Sequence, residues 1–255
     1  MTFGLDPQLL LILIVLGFLA AFVDSVVGGG GLISLPALLF AGLHPAAAVA
    51  TNKLFGTVGS LTSTLMFYRS GKLDIKSLYK LFPLVFISAM AGAWTVHLIN
   101  PEVLKPLILI MLAGVAIYTV FRKNWGNTST YKKLSMRYFV LFLILISAIG
   151  FYDGFLGPGT GSFLLFAYLM LGFDFVKAAG NAKFINFTSG IAALIMFICL
   201  GQVHYEYGLP MAAAGIAGSM CGSRFAIRRG SGYVRALFIT ITFLLLAKNI
   251  YDFAH

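Results

Sequence analysis

Residues 22–40 read FVDSVVGGGGLISLPALLF, and about half a chain later residues 151–170 read FYDGFLGPGTGSFLLFAYLM. Asp24 aligns with Asp153, Gly28 with Gly157 and Gly30 with Gly159; after a one-residue shift Lys53 aligns with Lys183 and Gly71 with Gly201. In each copy a carboxylate precedes a glycine cluster, and a lysine follows inside the next apolar segment. An interior glycine costs a helix about 1 kcal/mol relative to alanine, so the run from Gly28 to Gly31 breaks the first helix. The piece after it, residues 32–43, is too short to span a bilayer at ~1.5 Å per residue. The pattern predicts a long helix, a glycine break, a half-helix or short tilted crossing, and a long third helix, made twice.

Working outward, the chain is 60% hydrophobic and 10% charged. A soluble domain carries about a quarter charged residues, so this composition excludes one and points to a bilayer. Apolar runs near 9–27, 79–98, 103–121, 138–156, 176–198, 207–227 and 233–250 each approach the ~20 residues a crossing needs. Their length and lack of polar alternation predict an all-α polytopic protein and exclude a barrel. The expected organisation is a first repeat over 1–121, a cytoplasmic connector over 122–137 and a second repeat over 138–255. No basic segment precedes the first run, which argues against a cleaved leader.

The net charge of +10 does not imply nucleic acid, because the cations concentrate in short loops between apolar runs. The basic loops are 69–80, 121–137 and 224–235; the loops at 99–105 and 201–207 hold only Lys105 between them. By the positive-inside rule the first set is cytoplasmic, and both termini lie on the other side. The loop after the third segment is basic in the first half and not in the second. The halves are therefore expected in opposite orientations, as in the inverted repeats of secondary transporters, whose sites lie near mid-membrane.

A lysine or aspartate facing lipid at the bilayer centre costs roughly 3 kcal/mol, so Asp24, Lys53, Asp153 and Lys183 must point inward. One reading makes them structural ion pairs tying each broken helix to its third segment. The other makes them a transport site. In it, Lys53 and Lys183 converge on one anion cavity, and Thr51, Asn52, Asn181 and Asn186 add neutral hydrogen bonds. The breaks at Gly30, Gly31, Gly159 and Thr160 add half-helix N-termini, whose free N–H groups favour anions. Asp24 and Asp153 are then proton-coupling carboxylates or counter-charges.

The glycine clusters lack the Lys-Ser/Thr of a nucleotide loop. Cys199 and Cys221 read as small core residues, and the scattered histidines as interfacial. Neither a metal site nor another cofactor is expected. Ser88 with Gly92, and Gly218 with Gly222, recur at the repeat spacing and predict close helix contacts.

FVDSVVGGGG with LPALL and ATNKLFGTVGSLTSTLMFYRSGKLD in the first half, and GFYDGFLGPGTGSFL with AKFINFTSGIAALIMFICLGQV in the second, resemble the TauE/SafE (TSUP) family of membrane permeases. The resemblance covers nearly the whole chain. It implies an exporter of a small sulfur-containing anion, sulfite or an organosulfonate, in a bacterial cytoplasmic membrane. The second motif departs from the expected pattern at Asn181, where a hydroxyl residue is expected. An anion channel and an intramembrane enzyme are the alternatives. The chain shows no metal cluster and no nucleophile beside a base, and no ATPase domain, so active transport is expected to draw on a gradient of substrate, proton or sodium, or on the membrane potential.

Overall fold

The computed structural model describes residues 6–73, 75–100, most positions of 102–114, and 135–254, with only the backbone described for 230–254. The first half contains α1 (Pro7–Val27), α2 (Gly31–Phe40), α3 (Pro45–Arg69), a short α4 (Ile75–Leu78) and, after one 3₁₀ turn, α5 (Phe82–Leu98). The second contains α6 (Met136–Phe155), α7 (Thr160–Met170), α8 (Phe175–Cys199) and α9 (Tyr205–Ala254). The described positions of 102–114 are helical, and no strand occurs among the described residues. The protein is an all-α polytopic membrane protein. Pro7–Val27, Tyr79–Leu98, Met136–Phe155 and Phe175–Cys199 are long and apolar enough to cross a bilayer. The connector expected at 122–137 lies largely outside the described residues.

The helix lengths repeat. α1, α2 and α3 have 21, 10 and 25 residues, and α6, α7 and α8 have 20, 11 and 25. Local chemistry explains the boundaries. Asp6 caps α1 by accepting from the Gln8 N–H at 3.0 Å, with Pro7 at the first helical position. Gly28 then takes φ 78° and Gly157 φ 89°, a left-handed backbone that side chains resist, and both broken helices stop there. Gly30 and Gly159 are the equivalent residues before α2 and α7, though only Gly159 is left-handed (φ 82° against −55°); α7 is one residue longer than α2, so the one-residue shift between the halves falls in the half-helices.

The C-terminal region departs from expectation. A basic loop at 224–235 between two helices was expected, but α9 runs unbroken from Tyr205 to Ala254. Within 224–235 the breakers are isolated: Gly230 and Gly232 are single glycines, each costing about 1 kcal/mol, which a long helix absorbs. Fifty residues extend ~75 Å, more than twice the ~30 Å of hydrocarbon, so only part of α9 can lie in lipid. Cys199 and Cys221 also differ from the reading as core residues: both are exposed. An outward-facing cysteine on a lipid-covered helix satisfies the same apolar preference as a buried one.

Small residues bring the helices together. Gly17 lies against Met211, Gly218 against Phe18 and Gly222 against Phe22, so α1 and α9 run side by side in the same direction. In the same way Gly150 meets Ser88 and Val85, Gly154 meets Ala89, and Gly92 meets Phe151 and Phe155, making α5 and α6 parallel neighbours. Both predicted small-residue pairs therefore sit in contacts between the halves. At the centre α3 and α8 cross antiparallel: Gly190 lies by Thr57, and Gly180 by Phe67.

The apolar core is split into two layers. One contains Leu13, Leu35, Val49, Ala193 and Phe197; the other contains Val26, Phe67, Ile146, Leu164 and Ile185. α1 passes from the first layer to the second between Ala21 and Val23, α3 between Phe55 and Phe67, and α8 from the second to the first between Ile185 and Ala193. The polar groups of these helices lie in the gap between the layers.

Candidate functional site

The two glycine breaks meet in that gap. A side chain at Gly28 would collide with the backbone of Gly161 and Ser162, and one at Gly31 would come within 2.9 Å of Pro158 Cα. The Ser162 hydroxyl donates to Val27 O at 3.3 Å, joining the start of α7 to the end of α1. Only residues without side chains let the two backbones approach this closely.

Around this junction the charges pair across the halves. Lys53 Nζ of α3 lies 2.9 Å from Asp153 Oδ1 of α6, and Lys183 Nζ of α8 lies 2.6 Å from Asp24 Oδ2 of α1. Each lysine thus meets the aspartate of the other repeat unit, not that of its own. Side-chain exposure is 6% or less for Lys53, Asp153 and Lys183, and 19% for Asp24. At such burial each charge needs its partner, because an isolated ion loses several kcal/mol of hydration. The four charges sum to zero.

The pairs are not equivalent in detail. Both oxygens of Asp24 are engaged: Oδ2 by Lys183, and Oδ1 by the Gly30 N–H at 3.3 Å. Asp153 Oδ1 meets Lys53, but its Oδ2 is buried with no hydrogen-bond partner. Beside Asp153, the Tyr152 hydroxyl turns away to donate to Pro158 O at 2.6 Å.

A small cavity of about 50 Å³, partly open to the exterior, lies beside the Lys53 pair. Asp24, Lys53, Asp153, Asn52, Asn186, Gly30 and Gly31 line it, together with Ser34, Thr57 and Gly157. Asn52 Oδ1 accepts from the Ser34 hydroxyl at 2.6 Å, which leaves its amide N–H groups for another partner. Thr57 Oγ1 is buried without a partner. The cavity therefore combines a cation, several hydrogen-bond donors and two carboxylates in a largely apolar protein.

The other sequence-predicted positions stand around this cavity without lining it. Thr51 Oγ1 accepts from the His204 N–H at 3.0 Å at the entrance to α9. Thr160 Oγ1 donates to Gly157 O at 2.8 Å and steadies the second break, where Gly159 is the residue before α7. Lys183 is held by Asp24, and Asn181 is buried with Oδ1 unpartnered. Among the described residues, no group of His, Cys, Asp and Glu could hold a metal ion.

Sequence reasoning missed Ser34, Thr57 and Gly157 as lining residues. Thr57 had a signal: it lies four residues after Lys53, one helical turn on, on the same face. Ser34 had none, since a hydroxyl in a short apolar helix reads equally well as a bond to its own backbone. Its hydroxyl also lies 3.2 Å from Gly30 O, as that reading implies.

The family described as "Sulfite exporter TauE/SafE" matches residues 13–249 of the chain. A "Probable membrane transporter protein" of Haemophilus influenzae is 36% identical over 99% of this chain and 98% of its own. The "Probable membrane transporter protein ORF9" of a Sinorhizobium species is 35% identical over 97% of this chain and 95% of its own. "Probable membrane transporter protein YfcA" of Escherichia coli K12 is 34% identical, over 98% and 93%. No solved structure matches. With its broken helices, central charge pairs and end-to-end likeness to these transporters, the chain belongs to the TauE/SafE family of membrane transporters.

Proposed function

We propose that this protein is a secondary transporter that exports a small sulfur-containing anion, sulfite or an organosulfonate, by alternating access. The anion binds at Lys53 in the cavity between the halves, with Asn52, Thr57 and Asn186 as neutral donors. The observation that carries this reading is a lysine-bearing cavity at the meeting point of two broken helices, in the gap between two apolar layers. Such a position is where secondary transporters bind their cargo. A buried ammonium with hydrogen-bond donors suits an oxyanion, whose oxygens accept several bonds at once.

The halves, 1–121 and 138–255, are read as inverted-topology repeats joined by a cytoplasmic connector. Support comes from the antiparallel crossing of the equivalent helices α3 and α8, and from the reciprocal pairing of Lys53 with Asp153 and Lys183 with Asp24. The loop charges favour the bacterial cytoplasmic membrane with the N-terminus outside the cytoplasm; the C-terminus would join it there only if α9 turned back, which the unbroken helix does not do.

The reciprocal pairs also suit alternating access. Moving one unit against the other must change both bridges, so an anion that competes for Lys53 biases that motion directly. A ligand shifts such an equilibrium only through its differential affinity for the two states.

Counterflow in proteoliposomes tests the reading. Vesicles loaded with unlabelled sulfite should accumulate external labelled sulfite or sulfonate saturably, and Lys53→Ala should abolish this. Conductance without saturation would identify a channel, and the absence of flux for every sulfur oxyanion and sulfonate would reject the assignment.

A further inference from the structure

The cavity holds a carboxylate whose bonding is incomplete. Asp153 is 3% exposed, Oδ1 faces Lys53 and Oδ2 has no partner. Asp24, in the same cavity wall, has partners for both oxygens. If an anion takes Lys53, Asp153 loses its one bond and is left as a buried negative charge beside a second one. Such a charge without a partner is not tolerated in a low-dielectric interior; it neutralises instead.

We propose that Asp153 is the coupling site: each anion that binds Lys53 enters with one proton, which Asp153 takes up. This rests on the anion-transporter reading above. The balance is simple. Lys53 keeps its proton and passes from the Asp153 carboxylate to the anion. The incoming proton goes to Asp153, whose protonated oxygen becomes a donor to the anion or to a neighbouring carbonyl. One negative and one positive charge arrive together, so the site remains neutral. A monoanion carried this way moves no net charge.

The described groups facing Asp153 allow the exchange. From α3 there is Lys53; on its own helix, Tyr152, whose hydroxyl is committed to Pro158 O; across the cavity, Asp24, held by Lys183 of α8. α5 contributes Val85, Ser88 and Ala89 to its contact with α6, none of them charged, and α7 contributes Thr160, bonded to Gly157 O. Among the described residues no second cation stands ready to replace Lys53 at Asp153.

Calorimetry on the intact protein in detergent tests this directly. Methanesulfonate is the probe because a sulfonate carries no titratable proton near neutral pH. Titrations in buffers of different ionisation heat count the protons taken up per anion bound. The expected result is one proton per methanesulfonate, with Kd rising about tenfold per pH unit because binding takes up one proton. Asp153→Asn should bind with no proton uptake and a flat pH dependence. Binding to the unaltered protein without proton uptake, or dependent on sodium instead, would overturn the proposal while leaving the transporter reading intact. Binding of sulfite but not methanesulfonate would place the proton on the anion and equally overturn the role of Asp153. If neither anion binds, the transporter reading fails first.

Discussion

Lys53 Nζ and Asp153 Oδ1 lie 2.9 Å apart, joining α3 of the first half to α6 of the second inside a buried, polar gap. Breaking a buried pair by removing one partner typically costs about 3–5 kcal/mol, because the other charge is left uncompensated. Lys53→Ala should therefore lower the melting temperature in detergent by about 10 °C as well as abolish flux. Lys53→Met combined with Asp153→Leu should recover most of that stability but no flux. Thermal unfolding alongside counterflow separates the two effects; a double variant that transports would remove the pair from the mechanism.

Thr57 should contribute to binding and little to folding. Its hydroxyl is buried in the cavity wall with no partner, so Thr57→Val removes no bond from the empty protein. A hydrogen bond to a charged ligand is worth about 1.5–3 kcal/mol. The variant should melt within a few degrees of the unaltered protein and bind the anion at least about tenfold more weakly. Affinity measured by calorimetry and stability by thermal unfolding check both halves of this statement.

Two glycines should respond oppositely to enlargement. A Cβ at Gly154 would come within 2.9 Å of Ala89 Cα, and the backbones of α5 and α6 cannot give way cheaply. Gly154→Leu should destabilise by about 3 kcal/mol or more through overpacking. Gly56 lines the cavity and a Cβ there meets nothing within 4 Å. Gly56→Leu should fold normally, since replacing glycine within a helix gains up to about 1 kcal/mol, yet block transport by filling the cavity. A Gly56→Leu protein with undiminished flux would mean that the anion does not pass through this space.

The orientation is open to a direct test. Reporter fusions that work only on one side of the membrane should place the 201–207 loop outside the cytoplasm and the 69–80 loop within it. A cytoplasmic 201–207 loop would put the equivalent loops of both halves on one side of the membrane, which inverted repeats do not allow.

The membrane setting, the helix breaks and the recurrence of a long, a short and a long helix were legible in the chain by itself. Composition and apolar run length are sums over many residues, and glycine clusters act on their own neighbours, so neither needs a fold. The inwardness of Asp24, Lys53, Asp153 and Lys183 followed from the cost of exposing charge to lipid. The end of α8 and the start of α9 were likewise marked by Gly201. The basic stretch near 224–235 misled because positive charge signals a loop only statistically, whereas α9 meets no strong helix breaker there.

What tertiary structure alone decided is who meets whom. Nothing local distinguishes Lys53 beside Asp24 from Lys53 beside Asp153; the choice depends on the two glycine breaks interlocking and on α3 crossing α8. The same packing made Asp24 fully bonded and left Asp153 Oδ2 bare, an asymmetry between residues that are equivalent in the repeat. Sequence determines which side chains cannot face lipid. Which of them remain unsatisfied, and so available to a cargo, is a property of distances set by the whole assembly of helices.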